Sequence, residues 1–544
     1  MPATPTLPPH MMAFQQAGLW EDKTIADWAR VRANDMPDTV VFPNDPSQPT
    51  YRGMLSDAEA LTRSLMAMGL CAGDVISFQT PNWVEAAVIN LAAALGGFVI
   101  NPIVTIYRDA EVRHMLADCR AKVFFVAETF RNFDYAAMAG RIRPDLPDLQ
   151  HVVYVRHGER ALSQNELAYE HLVEGGRALH TALPVVDPNS IKLLLYTSGT
   201  TGHPKAVLHS HNTLARVAKV SAVHANLTLP EITLMPSPVT HISGYSGGLE
   251  KPFLINARTI LMESWNAQDA IDLIERYNIA STVAATPFLK ELAELAVQTG
   301  KTLPSFKRFA CGGAAVPSDL VKAANHSFAN PCAFRVYGSS EVPLVTQGFS
   351  AEFDPDNAAE TDGQVIDYEV RIVDEAMNDV PDGSEGEILA RGPSMFMGYA
   401  DPQQTREALT EDGFFKTGDL GMLLPAGGLT ITGRKKDLII RGGENISAKE
   451  IEDALLSHPA VADCAVVAMP HDRLGEGVCV FVVRRDGHDL TAENLLQHIG
   501  QSGLAKQKYP EHTEFTDTLP RTASGKIRKD VLRETIRQIV SSAS

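Results

Sequence analysis

At 544 residues, 44% hydrophobic and 21% charged, the chain is too long for one compact core and has the make-up of a soluble protein of two or more domains. Its formal charge of −18 excludes a nonspecific nucleic-acid binder, which needs a basic face against phosphate, but allows a local basic pocket. Six cysteines, at positions 71, 119, 311, 332, 464 and 479, show no Cys-x-x-Cys spacing, which argues against a zinc site or a disulfide framework and fits a reducing cytosol.

The first ten residues lack a basic stretch followed by an apolar core, so no secretory signal is expected. Residues 86–104 are apolar enough to suggest a membrane span, yet Asn90, the Gly96-Gly97 pair and Asn101-Pro102 interrupt them. A buried helix over 86–95, a glycine turn and a buried strand over 98–100 are predicted there instead, and no membrane span. From about residue 25 to 430, helix-like stretches alternate with short apolar runs at 75–78, 123–126, 152–155 and 280–283. That alternation predicts layered α/β structure with largely parallel sheets.

Residues 191–195 read as a further buried strand, which breaks into Tyr196-Thr-Ser-Gly-Thr-Thr-Gly-His-Pro-Lys205. Glycines let backbone N–H groups approach an anion, the hydroxyls donate further hydrogen bonds, and the lysine adds a charge, so this loop reads as a phosphate cradle. No segment fits G-x-x-x-x-G-K-[ST] or G-x-G-x-x-G, so kinase, NTPase and dinucleotide-binding readings lack their usual support.

Near 365–432 the texture changes to short strands at 369–373, 386–390 and 429–432 separated by glycine turns, which predicts a small β-rich subdomain. Gly433-Arg-Lys-Lys-Asp437 then lies between two apolar runs and reads as a hinge. Beyond it a helix over 450–457 and strands over 461–468 and 478–483 predict a compact α+β unit of about 100 residues. The predicted architecture is therefore α/β. A large N-terminal domain (1–433) of layered α/β subdomains, with its β-rich part at 365–432, is hinged at 434–437 to a small mobile C-terminal α+β domain (438–544).

In chain order, the loop at 196–205, Tyr337-Gly-Ser-Ser-Glu341, Thr417-Gly-Asp-Leu420, the run from Gly433 to Ile446 and Pro520-Arg-Thr-Ala-Ser-Gly-Lys-Ile527 resemble the signatures of the adenylate-forming superfamily. That superfamily includes acyl-CoA synthetases, luciferases and peptide-synthetase adenylation domains, and the resemblance is to its acyl-CoA synthetase branch. It implies an ATP-binding set of Thr197, Ser198, Gly199, Thr200, Thr201, Gly202 and Lys205, with Gly313 and Ala314 beside the nucleotide. Tyr337 offers an aromatic face for adenine, with Gly338 and Ser339 following it. Ser340 stands near the α-phosphate, where the family more often has Thr. Glu341 is a hard oxygen ligand suited to Mg²⁺. Asp419 resembles the ribose-binding carboxylate and Arg434 the ribose and phosphate contact, while Lys436 matches the hinge pivot.

By the same resemblance Lys526 is the cation of the first chemical step, where two negative reactants meet. Gly442 and Gly443 correspond to the lining of the CoA tunnel, where a missing side chain lets a narrow chain pass. The acyl pocket corresponds to Pro238-Val-Thr-His-Ile-Ser-Gly-Tyr-Ser-Gly-Gly248 and Ala310-Cys-Gly-Gly-Ala-Ala315, with His241, Gly244 and Gly312 as its candidates. No Asp lies between Val239 and Leu249 to anchor an amino group, so an amino-acid substrate is not expected. The small residues at 243–248 suggest room for a compact ring or a medium chain, in the manner of cyclohexanecarboxylate–CoA and medium-chain ligases.

The expected protein is thus a cytoplasmic, ATP-, Mg²⁺- and CoA-dependent carboxylate–CoA ligase for a medium-chain, alicyclic or aromatic acid. Its partners are small molecules, and a homodimer is compatible with the sequence. Its nearest rival passes the acyl group to a carrier protein.

Overall fold

Runs of β-branched and aromatic residues with no polar face form strands that must be covered on both sides, which is the situation of a parallel sheet between helices. The computed structural model describes residues 7–197, 204–224, 230–314, 316–425, 427–442, 444–502, 504–522 and 525–543. In it Val75–Gln79, Val123–Ala127 and Val99–Pro102 are buried along their whole length. They lie in an eight-stranded sheet of order Gly398–Tyr399, Lys205–Ser210, Ile191–Thr197, Val99–Pro102, Val75–Gln79, Val123–Ala127, His151–Val155 and Glu166–Ala168. The strands from Ile191–Thr197 to Glu166–Ala168 run parallel, and the two at the other edge are antiparallel.

A second sheet is wholly parallel: Arg258–Leu261, Ile232–Met235, Ser281–Ala284, Arg308–Cys311 and Ala333–Arg335. The third is antiparallel and joins Glu369–Val373, Gly386–Arg391, Phe415–Leu423 and Leu429–Arg434, the β-rich part expected from the sequence. One piece of that stretch departs from it, because Gly398–Tyr399 leaves to pair with Lys205–Ser210 in the first sheet.

The interrupted apolar segment is a helix, Val84–Gly96, stopped by Gly97 at φ +68. Its strand runs over 99–102 and not 98–100: Phe98 is still in the turn, with its N–H bonded to the Ala93 carbonyl. Among the described residues no helix is long and apolar enough to cross a membrane. All six cysteines are free.

The C-terminal domain is a separate mixed sheet of Glu444–Ile446, Ile439–Arg441, Gly475–Arg484, Val461–His471 and His512–Phe515. Side chains alternate along Val461–His471, so Cys464 and Val466 enter one core with Ile439 and Ile446. Ala465 and Val467 enter a second core with Leu519 and Leu532, against which Ile527 packs. The two long strands overrun the predicted limits, because pairing continues through Met469, Pro470 and His471 to Gly475 where the apolar pattern has ended. Between this sheet and the third one stands a single helical turn, Lys435–Asp437.

The second and third sheets are tied by one buried ion pair. Arg335 donates to both Asp362 oxygens at 3.0 and 2.6 Å and to the Ala359 carbonyl at 3.1 Å. Asp362 also accepts from the Ile431 N–H at 2.8 Å. Asp362→Ala strands the guanidinium without a counter-charge and is expected to cost about 3–5 kcal/mol, measured by denaturant unfolding.

Candidate active site

The phosphate-loop residues Ser198, Gly199, Thr200, Thr201 and Gly202 lie outside the described residues, but both ends of that loop are fixed. Thr197 and Lys205 face each other in register across the antiparallel pair. Lys205 projects over the Tyr399 ring, 5.0 Å from its centroid, and the Tyr399 hydroxyl donates to Glu341 Oε1 at 2.8 Å. A cation, an aromatic ring and a carboxylate thus stand in one row. Burial and the Glu341 charge push the Tyr399 hydroxyl pKa far up, so it is a donor at any working pH.

His209 fixes the 337–341 segment to the phosphate-loop strand. Its Nε2 donates to the Ser340 carbonyl at 2.7 Å, and its Nδ1 lies 3.1 Å from Thr213 Oγ1. Burial lowers its pKa to about 4, so the ring is neutral and the carbonyl partner assigns the proton to Nε2. The Phe396 N–H bonds the Glu341 carbonyl at 2.7 Å from the other side. Gly338 is required by close approach: a Cβ there would stand 2.5 Å from the Leu344 nitrogen. Ser339 closes the turn, exchanging bonds with Val342 through its N–H and its Oγ.

Asp419 gathers Tyr337 and Arg434. It is 6% exposed and accepts from the Tyr337 hydroxyl at 2.8 Å and from Arg434 Nε at 2.9 Å. Asp419 and Arg434 are register partners on neighbouring strands, and Gly418, inside the strand Phe415–Leu423, takes φ +69. Asp419 above all holds the Arg434 guanidinium pKa above its ordinary value.

Lys526 enters this group from the C-terminal domain. Its turn is closed by Thr522, whose N–H donates to the Lys526 carbonyl at 2.7 Å and whose hydroxyl accepts from the Lys526 N–H at 3.1 Å. Burial, then the Arg434 charge, lowers the ammonium pKa to about 8, while Asp419 and Glu341 oppose the shift. Lys436 lies in the same field: burial and Arg434 lower its pKa.

On the acid side, His241 Nδ1 meets Ser243 Oγ at 3.1 Å. Burial and the Lys526 charge bring its pKa down to about 4, so it is neutral at pH 7. Gly312 lets the strand end pass the Val336 carbonyl, 2.5 Å from where a Cβ would sit, and Gly313 takes φ +82. Gly313 and Ala314 are exposed beyond it. The small residues expected to leave room are in part used up by packing. A Gly244 Cβ would collide with the Pro238 carbonyl at 2.0 Å, and a Gly247 Cβ with Met235 Cε at 2.3 Å.

The structure therefore brings Lys205, Glu341, Tyr337, Asp419, Arg434, Lys526 and His241 into one site. Gly442 stands apart, at φ +62 in the hairpin between Ile439–Arg441 and Glu444–Ile446, with Leu474 beside it. Gly443 is outside the described residues. Tyr399 and His209 were not found in the sequence reading, since neither belongs to a motif and each acts through a residue more than 50 positions away.

The AMP-binding enzyme family matches residues 29–400, and the AMP-binding enzyme C-terminal domain matches residues 450–526. A medium-chain fatty-acid–CoA ligase of Escherichia coli K12 is 36% identical over 530 residues, 96% of this chain and 92% of its own. A 2,3-dihydroxybenzoate-AMP ligase of Bacillus subtilis 168 is 29% identical over 96% of each chain. The ATP-bound crystal structure of MatB from Rhodopseudomonas palustris superposes with a TM-score of 0.82 at 27% identity, over 95% of this chain and 100% of that one.

Tyr399→Phe removes one hydrogen bond to a charged group, worth about 1.5 kcal/mol, and is expected to weaken ATP binding about ten-fold in calorimetric titration.

Proposed function

The chain belongs to the AMP-binding enzyme family, and from that premise we propose that it is an ATP-dependent carboxylate–CoA ligase acting on a medium-chain, alicyclic or aromatic acid. The observation that supports this reading is that the Lys526 ammonium feels Arg434, Asp419 and Glu341 and itself acts on His241. A carboxylate attacking an α-phosphoryl group brings two anions together, and a cation at their meeting point stabilises the charge that develops.

In the first half-reaction a carboxylate oxygen attacks the α-phosphorus of ATP, pyrophosphate leaves, and an acyl-adenylate remains. Tyr337 presents its face to adenine, Asp419 accepts from the ribose hydroxyls, and Arg434 and Lys205 hold phosphate oxygens. Neutral His241 orients the acid without competing for its charge. Glu341, aimed by Tyr399, is the carboxylate that would hold Mg²⁺. Among the described residues no cluster of three protein ligands exists, so ATP oxygens and water would complete the shell, as is usual for this ion. The ion supplies neutralisation of phosphate charge.

In the second half-reaction the C-terminal domain turns about Lys436, withdraws Lys526 and presents the Gly442 hairpin. The CoA thiol attacks the acyl carbon, the mixed-anhydride bond breaks, and AMP leaves with the acyl-CoA as product. A second reading, an enzyme that stops at the acyl-AMP or passes it to a carrier protein, draws support from the 2,3-dihydroxybenzoate-AMP ligase relative. Release of AMP that depends on CoA favours the ligase; pyrophosphate exchange unaffected by CoA favours the rival.

Lys526→Ala is expected to slow adenylation by about 10²–10³ and to leave thioester formation from supplied acyl-AMP nearly unchanged, measured separately in single-turnover assays. Equal loss in both steps removes the assigned role. The ammonium is the active form, charged below about pH 8 and neutral above it. So kcat/KM for adenylation should fall as pH rises through about 8. The kcat limb should lie higher, because bound ATP favours the charged lysine. A profile flat up to pH 10 contradicts this.

A further inference from the structure

Helix Val84–Gly96 is buried from Ala86 onward, yet carries one polar side chain in its centre, Asn90. Asn90 belongs to a closed buried network. Its Nδ2 donates to Glu250 Oε1 at 2.8 Å, and its Oδ1 accepts from Lys192 Nζ at 3.1 Å and from the Tyr245 hydroxyl at 2.6 Å. Lys192 Nζ also donates to the Tyr245 hydroxyl at 3.0 Å and to Glu250 Oε1. The three ammonium protons are thus spent, and the tyrosine both donates and accepts. Lys192 is 0% and Glu250 2% exposed.

The network joins three elements. Lys192 stands on Ile191–Thr197, the strand that ends at the phosphate loop. Tyr245 and Glu250 are the first and last residues of a single π-helical stretch, Tyr245–Glu250, which follows His241 and includes Gly247 and Gly248. The π form is uncommon and is frequent at functional sites. On the other side of the same stretch, Gly247 and Gly248 rest against Met235 and Val239. A second asparagine just before the helix fixes that partner: Asn82 Nδ2 donates to the Met235 and Ser237 carbonyls at 3.3 and 2.9 Å, and its Oδ1 accepts from the Val239 N–H at 2.8 Å. The walls of the segment that carries His241 are therefore clamped by two asparagines, Asn90 within one apolar helix and Asn82 just before it.

We propose that the Lys192–Asn90–Tyr245–Glu250 network is a positioning element of the acid-binding side. It sets the π-helical stretch, and through it the shape of the acid pocket, against the strand that holds ATP. Networks whose members are all satisfied define a single arrangement of the elements they join. Lys192 and Glu250 touch no substrate in this account and act through the backbone of 241–250. The inference rests on the reading of 238–248 as the acyl wall.

The test is the double variant Lys192→Met with Glu250→Gln, which removes both charges together; paired removal of a buried ion pair is compatible with folding. Wild type and variant are compared by pyrophosphate release with hexanoate, octanoate, cyclohexanecarboxylate and benzoate, and by ATP binding without acid. The expected result is ATP affinity within about two-fold, acid KM raised about ten-fold or more, and a flattened preference among the four acids. Unchanged acid KM and preference, or equal losses for ATP and acid, overturn the proposal. Tyr245→Phe, which removes one hydroxyl, should shift acid KM in the same direction by less and decides the matter where the double variant does not fold. If the wild type turns over none of the four acids, the ligase reading fails by itself. The network is then judged by amide exchange: faster exchange confined to 242–250 in the variant supports it, and unchanged exchange there overturns it.

Discussion

In the proposed reaction everything turns on how much positive charge can be assembled where two anions must meet. Burial, and then the Arg434 charge, lower the readiness of Lys436 and Lys526 to stay charged, and Lys436 adds to the effect on Lys526. Asp419 and Glu341 hold that cluster together: both oppose the loss of the Lys526 proton, and Asp419 bonds Arg434 directly. The result is a lysine near the edge of its charged range, about 8. In the proposed reaction the negative charge of a nucleotide would favour the ammonium where that charge is used.

Sheet geometry supplies the positions. The ends of the first and second sheets bring Thr197 and Lys205 toward 337–341, and the third sheet sets Asp419 opposite Arg434 by register alone. Polar bonds add to the apolar packing between sheets: His209 to Ser340, Tyr399 to Glu341, Arg335 to Asp362. Each is a buried or half-buried bond with a defined partner, and each fixes a loop that carries a functional group. Apolar packing gives the sheets their stability, and these few bonds give the site its registry.

Much of this was legible in the sequence, and the limits were physical. Runs such as 123–126 and 152–155 showed as strands because burial on both faces leaves no polar alternation. Asp419 and Tyr337 were legible because they sit in local motifs, with a glycine beside each. Tyr399, His209 and Lys192 were not, since their meaning lies in partners at Glu341, Ser340 and Glu250, far along the chain. Asn90 shows the difference well: in the sequence it only argued against a membrane helix, while in the fold it is the centre of a network. The glycines at 244 and 247 read as open space, whereas backbone and Met235 occupy the place of their missing side chains.

On the proposed reading, the C-terminal domain gives a physical reason for two half-reactions in one site. Along Val461–His471 alternate side chains face two separate cores. Ile527, next to Lys526, packs against the core of Ala465, Val467 and Leu519. The Gly442 hairpin forms the sheet edge and turns Ile439 and Ile446 into the core of the opposite face. A rigid sheet with the lysine turn on one face and the hairpin anchored to the other cannot present both at once to a cleft in the large domain. In that proposal the exchange of one for the other is a rotation of the whole sheet, taken up by the short turn at Lys435–Asp437. That turn carries the residue the sequence marked as the pivot, and Arg533 from the last helix holds its Asp437 and its Lys436 carbonyl to the small domain. On the large-domain side Lys435 Nζ pairs with Glu387 at 2.8 Å, so the turn is gripped from both domains with Lys436 between the two holds.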